Sequence, residues 1–327
     1  MSVRRPGGWL TLGPVTTPPD PTASRNTRLW VPDWPVPVTE IMSQQRRGGS
    51  DPTYKVDFQG RHWRGIRTPV GVATLMVETR PREGRVYAAA WGEGADWALE
   101  AVPTLLGADD DPSGFEPTHQ ILKDVWRHHR HWRIGRTGLV LEALVPSIIE
   151  QKVTGQEAFA GFRNLVHRWG NRAPGPGHDL GIWVQPDEET LRNIPSWEWL
   201  KLHIDPARSK AVVTCARVAH AVERTATLSP ADAGRALRSL PGIGVWTSAE
   251  VQQRAFGDPD AVSFGDYHVS KDIGWALTGT AFDDDELADF LEQYRPHRYR
   301  VQALVGLAGL HRPRLGPRMA PRTHLPS

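Results

Sequence analysis

The chain has 327 residues and a formal net charge of +2, from 39 Lys and Arg against 37 Asp and Glu. That length exceeds what one hydrophobic core usually organises, so two packed domains with tails are expected. The single cysteine, Cys215, excludes an internal disulfide and any four-thiolate zinc or iron–sulfur centre. Neither a charged-then-apolar leader nor a run long enough to span a bilayer is read, and the expectation is a soluble, cytoplasmic protein without a metal centre.

Residues 1–50 are rich in Pro, Gly, Thr and Arg without sustained periodicity, and read as a flexible N-terminal segment, docked in part through Trp30 and Trp34. From Thr53 the pattern turns to strands. Tyr54, Val56 and Phe58 alternate with Lys55, Asp57 and Gln59, and Val70–Thr79 and Arg85–Trp91 are β-rich runs broken by Gly and Pro. A helix over Ala95–Leu106 completes a small α+β domain at 51–116.

Residues 117–311 read as a helical domain. Leu139–Gln151 is an apolar helix with a kink or break near Pro146. Thr154 and Glu157 have the form of a capping box, after which Ala158, Phe159, Phe162, Leu165, Val166 and Trp169 recur at helical spacing until Gly170. Asp205-Pro206 and Ser229-Pro230 each put a capping side chain before a proline at the first helical position. Further helices are expected over Asp285–Tyr294 and His297–Leu310, and residues 312–327 form a basic tail. The fold class is mainly α, with a smaller, β-rich α+β domain at the N-terminus.

Trp126–Arg136 carries Arg127, Arg130, Arg133 and Arg136 and no carboxylate. His119, His128, His129 and His131 crowd the same region, but they lack the spacing of metal ligands and the arginines between them would repel a cation, so a solvated basic face is expected. Trp126, Trp132, Trp197 and Trp199 are expected in the core or between domains.

Two short helices, Asp232–Ser239 and Val245–Phe256, flank Leu240-Pro241-Gly242-Ile243-Gly244. The two glycines allow a tight turn and a close backbone approach, while Ile243 plugs the gap between the helices. The N–H groups of the turn and of the second helix then face outward at the positive end of a helix dipole, which makes a seat for a phosphate. An ordinary helix–turn–helix corner would use the same glycines for geometry alone.

These residues resemble the helix-hairpin-helix DNA glycosylases, and among them the 3-methyladenine DNA glycosylase II branch. Leu240–Thr247 is similar to that branch's hairpin, and Gly265-Asp266-Tyr267-His268-Val269 is similar to the segment that carries its essential aspartate. Ile148–Thr154 resembles the helix and loop that fill the gap left by a flipped nucleotide, and Tyr294–Tyr299 resembles the start of the closing helix. The four matches lie in family order over roughly residues 116–310.

The resemblance implies that Asp266 is the catalytic carboxylate, although an Asp after Gly265 is also a natural helix cap. It implies DNA contacts by Gly242, Ile243, Gly244, Thr247, Gln151 and Lys152, with Gln151 and Lys152 as wedge candidates; Lys152 pairs equally well with a phosphate. Trp246 stands where bifunctional members carry a lysine nucleophile, so no lyase step is expected. It is assigned to the base pocket, or to packing between the hairpin helices. Glu250, one turn later, and Val305-Gly306-Leu307 stand where large aromatics are expected. Glu250 would bond an exocyclic amine or attract a cationic base, or else serve as a surface or salt-bridge residue.

The implied function is that of a monofunctional hydrolase of N-glycosyl compounds, releasing a damaged, alkylated base from double-stranded DNA in base excision repair. A nucleoid-associated monomer is expected, with no required cofactor and, by resemblance, a monovalent cation at the hairpin backbone. The competing reading is a non-catalytic helix-hairpin-helix DNA-binding protein of a repair complex. Asp266 favours the enzyme, since a pure binder gains nothing from a carboxylate beside phosphates.

Overall fold

The computed structural model describes residues 8–10, 25–80 and 83–313. The basic tail lies almost wholly outside the described residues, as do 1–7 and 11–24 of the N-terminal segment. Six strands, β1 (Gly8–Leu10), β2 (Arg25–Val31), β3 (Tyr54–Val56), β4 (His62–Thr68), β5 (Gly71–Arg80) and β6 (Arg85–Trp91), form one antiparallel sheet in the order β1-β2-β6-β5-β4-β3.

The expectation of a flexible 1–50 is corrected over its second half. β2 lies between β1 and β6, with Leu29 opposite Tyr87 and Trp30 opposite Val86. Both residues are buried. A strand covered on both faces buries adjacent apolar residues, here Leu29 on one face and Trp30 on the other, so alternation fails to reveal it. Helix α1 (Val38–Ser43) follows and buries Val38, Ile41 and Met42. Ala95–Leu106 is two short helices, α2 (Ala95–Glu100) and α3 (Val102–Leu105), because Ala101 ends the first turn set and Pro103 opens the second.

The helical part holds α4 (Gln120–His129), α5 (Val140–Ile149), α6 (Gly155–Trp169), α7 (Pro176–Asp179), α8 (Glu188–Asn193), α9 (Ser196–Lys201), α10 (Pro206–Arg217) and α11 (Ala219–Arg224). It continues with α12 (Pro230–Arg238), α13 (Val245–Val251), α14 (Val269–Thr278), α15 (Asp284–Leu291) and α16 (Arg298–Leu307). A two-stranded hairpin, β7 (Asn171–Arg172) and β8 (Trp183–Val184), packs Ala173, Ile182 and Val184 onto Trp63, Met76 and Trp91 of the sheet.

The caps read from sequence are present. Thr154 and Glu157 close a reciprocal box on α6, Asp205 caps α10, and Ser229 caps α12. Of the kink or break expected at Pro146, the break does not occur. α5 runs through it, since every residue of the helix but Glu142 is buried and packing on all sides outweighs the lost backbone bond.

Two apolar cores organise the helices. The first joins α5 and α6 with α8–α13, from Val140 to Ala255. The second joins α4 with α14–α16 and includes Val262, Ile273, Leu287 and Leu304. The sheet's inner face packs on α1–α3 and reaches Trp132, Ile134, Leu139 and Tyr299. The chain crosses from the first helical body to the second between Ala255 and Val262, and the site is built on that crossing.

Candidate active site

Gly242 turns with φ +89°, a conformation that L side chains rarely adopt, and a Cβ there would meet Ala211 Cβ at 2.8 Å. Ile243 is buried in the first helical core, so its side chain is sealed from any ligand. Gly244 is exposed, caps α13 without a side chain, and has nothing within 4 Å of an added Cβ. The start of α13 is therefore bare, with its first N–H groups turned outward.

Two sequence assignments need correction here. Thr247 is buried at 2% exposure, and its hydroxyl accepts from Gln151 Nε2 at 2.8 Å. The same nitrogen donates to the Gly242 carbonyl at 2.9 Å. The Gln151 side chain is thus a brace from the end of α5 to the hairpin, and Thr247 receives that brace. Lys152 stays exposed on the next residue, with φ +56°. The loop beneath it is pinned by the buried Arg208, whose Nη1 donates to the Ile149 carbonyl at 2.7 Å.

Asp266 is half-buried on the crossing loop. Its Oδ2 accepts from Trp246 Nε1 at 3.2 Å, and its Oδ1 from the backbone N–H of His268 at 2.7 Å and of Val269 at 3.2 Å. The carboxylate therefore caps α14 and also faces the start of α13. Gly265, at φ +88°, gives its N–H to Asp284 Oδ2 at 2.8 Å, which ties the loop to the second helical body.

One turn along α13, Glu250 makes the parallel contact. Its Oε1 accepts from Ser263 Oγ at 2.6 Å and its Oε2 from Arg254 Nη1 at 2.6 Å. Behind this pair stands another, Arg47 Nη1 to Glu150 Oε1 at 3.1 Å, which links the β-rich domain to the end of α5. Burial alone would push the Glu250 carboxyl up, but the Arg254 guanidinium and the Ser263 hydroxyl outweigh it and hold it below the ordinary value. For Glu150 burial wins over Arg47, and its carboxyl is raised. Glu250 is accordingly neither a surface residue nor a free carboxylate. It is one member of a quartet between the domains.

Arg47, Arg254, Ser263 and Glu150 were absent from the sequence assignments. The spacing of Glu250 and Arg254, four apart on a helix, was a visible signal for one pair; nothing local marks Arg47. On the closing helix Val305 is buried, and a Cβ on Gly306 would meet nothing within 4 Å. The histidines do not converge: His119 bonds the Tyr294 hydroxyl at 2.6 Å, His128 the Asp124 carbonyl at 2.7 Å, and His129 the Glu40 carboxylate at 3.0 Å. Trp132 and Trp199 are buried, whereas Trp197 is exposed.

No protein-family model matches the chain, and no curated protein matches it. Among solved structures it is similar to the 3-methyladenine DNA-glycosylase from Archaeoglobus fulgidus, with TM-score 0.66 and 18% identity over 84% of this chain and 95% of that one. It is also similar to the Clostridium acetobutylicum 8-oxoguanine glycosylase/lyase in complex with double-stranded DNA containing cytosine opposite 8-oxoG, with TM-score 0.66 and 12% identity over 88% and 97% of the two chains. The chain thus shares the overall fold of these two DNA glycosylases.

Proposed function

We propose that the chain is a monofunctional DNA glycosylase that hydrolyses the N-glycosidic bond of a damaged base in duplex DNA. The observation that carries this reading is the contact of Trp246 Nε1 with Asp266 Oδ2 at 3.2 Å, which holds a carboxylate over the start of the helix that a phosphate would approach. Duplex DNA as the partner is supported by the similar fold of the Clostridium acetobutylicum glycosylase/lyase, whose structure is a complex with double-stranded DNA.

In this reading, phosphate oxygens rest on the outward N–H groups from Gly244 onward, and Lys152 enters or flanks the vacated stack. Asp266, oriented by three N–H donors, stabilises the positive charge that develops on the sugar as the base departs. It also orients the attacking water and takes its proton. Trp246 occupies the position from which an amine would attack, and an indole forms no Schiff base. The carbonyl oxygens of Leu240 and Gly242 already accept from Ile243 N and Gln151 Nε2. Each keeps a lone pair, and such carbonyls would hold the monovalent cation that the resemblance implies, adding positive charge at the phosphate seat. The base released depends on the floor of the cleft, where Glu250 and Arg254 stand in place of further rings.

The test is abasic-site formation by the parent and by Asp266→Asn on duplexes that each hold one damaged base. Loss of release by at least about a hundredfold with duplex binding retained is expected. Equal release by both proteins rejects a catalytic Asp266.

A further inference from the structure

Trp246 and Glu250 lie at successive turns of α13, Arg254 follows on the π-helical turn that continues it (Gln252–Phe256), and the first two bond the same crossing loop, at Asp266 and Ser263. Asp266 marks the sugar end of the column. One turn inward, about 5.4 Å along the axis, stands a carboxylate and then a guanidinium.

The floor of the column is polar and incompletely satisfied. Arg254 lies between the domains, yet its side chain keeps 21% exposure, against 10% for Glu250 and 6% for Arg47. Part of the Arg254 side chain is therefore open to solvent. Its Nε is buried without a partner among the described residues. An unpartnered buried donor is unfavourable, and no described residue supplies this one with an acceptor. Arg300 also has an unpartnered nitrogen, but it is fully buried and sealed from any ligand. Glu250, for its part, accepts only two hydrogen bonds, and an ionised carboxylate has about four acceptor positions.

Resting on the glycosylase reading of the chain, we infer that its cleft selects a purine with a lactam edge, in which a ring N–H lies beside a carbonyl. The N–H donates to Glu250 and the carbonyl oxygen accepts from Arg254. Deaminated and oxidised purines, hypoxanthine and 8-oxoguanine, share this edge with undamaged guanine, whose intact pair with cytosine makes it costlier to extrude. A cationic alkylated adenine lacks it and meets a quartet of two arginines and two glutamates with no net charge to attract it. A site built to bond such an edge discriminates strongly against bases without it, because its own polar groups are then left unpaired.

The experiment is single-turnover release by the full chain from four duplexes, holding hypoxanthine, 8-oxoguanine, 3-methyladenine or 1,N6-ethenoadenine. The last is neutral but has no lactam edge, which separates charge from hydrogen bonding. Release of hypoxanthine or 8-oxoguanine at least about tenfold faster than of both adenine adducts is expected, and the faster of the two identifies deamination or oxidation as the source. Equal or faster release of either adenine adduct overturns the inference and leaves the glycosylase reading intact. No release from any duplex overturns both. The paired change Glu250→Leu with Arg254→Met removes both charges together and so avoids an orphaned buried ion. Provided it binds an abasic-analogue duplex like the parent, it should lose the lactam preference and release all four bases at rates within about threefold of one another; an unchanged preference overturns the inference. Should the double variant not fold, the parent's own panel decides.

Discussion

Gln151 Nε2 donates to both the Gly242 carbonyl and the Thr247 hydroxyl, so the loop after α5 holds the hairpin in place. Each such bond contributes on the order of 1 kcal/mol. Gln151→Ala should weaken binding to an undamaged duplex by about tenfold, measured by fluorescence anisotropy. Affinity equal to the parent's would show that the hairpin keeps its shape without the brace.

The two hairpin glycines should separate stability from binding. Gly242→Ala forces a side chain into φ +89° and against Ala211, and should cost about 1–3 kcal/mol. Gly244→Ala meets no neighbour and has an ordinary φ of −94°. It should melt like the parent yet bind duplex DNA several-fold more weakly, because its methyl group covers the phosphate seat. Undiminished affinity of Gly244→Ala would place the phosphate elsewhere.

Trp246 makes two separable contributions. Incubating the chain with abasic-site DNA and borohydride should give no covalent adduct, and efficient trapping through a specific lysine would contradict the monofunctional reading. Trp246→Phe keeps a ring but removes the N–H that orients Asp266. Base release should fall by roughly tenfold with duplex binding unchanged, in a single-turnover assay.

Asp57 bears on acid stability. Burial works against its ionisation, but donors on Trp63, Arg61 and Gln59 more than offset it and hold the carboxyl down to about 2. A carboxyl depressed in the folded state stabilises above its unfolded value, near 4, and loses that contribution as pH falls through 2. Asp57→Asn should therefore be less stable than the parent at neutral pH, with the gap closing between roughly pH 4 and 2 in thermal melts. A gap that is constant with pH would show that the carboxylate's charge is not what the contacts use.

Local chemistry made much of the fold readable: the caps at Thr154, Asp205 and Ser229 each need only a few neighbouring residues. The hairpin and Asp266 were legible for the same reason. What escaped was non-local. Arg47 gains its role from Glu150, 103 residues away, and β2 is a strand because β6 covers it. Pro146 looks like a break because its own chemistry argues for one, and only the packing around α5 overrides that. Gln151 and Thr247 look like DNA contacts in a sequence that does not show them to be partners of each other.

The crossing loop is fastened at Gly265 to Asp284 of the second body and at Asp266 to Trp246 of the first. The carboxylate is thus an alignment gauge. In the proposed reaction, a slide of about 1 Å between the two bodies would shift it off the sugar, and misplacement on that scale costs on the order of a hundredfold in rate. Small changes in the packing of Leu287 or Leu304, far from any nucleotide, should therefore slow turnover while leaving the grip on DNA untouched.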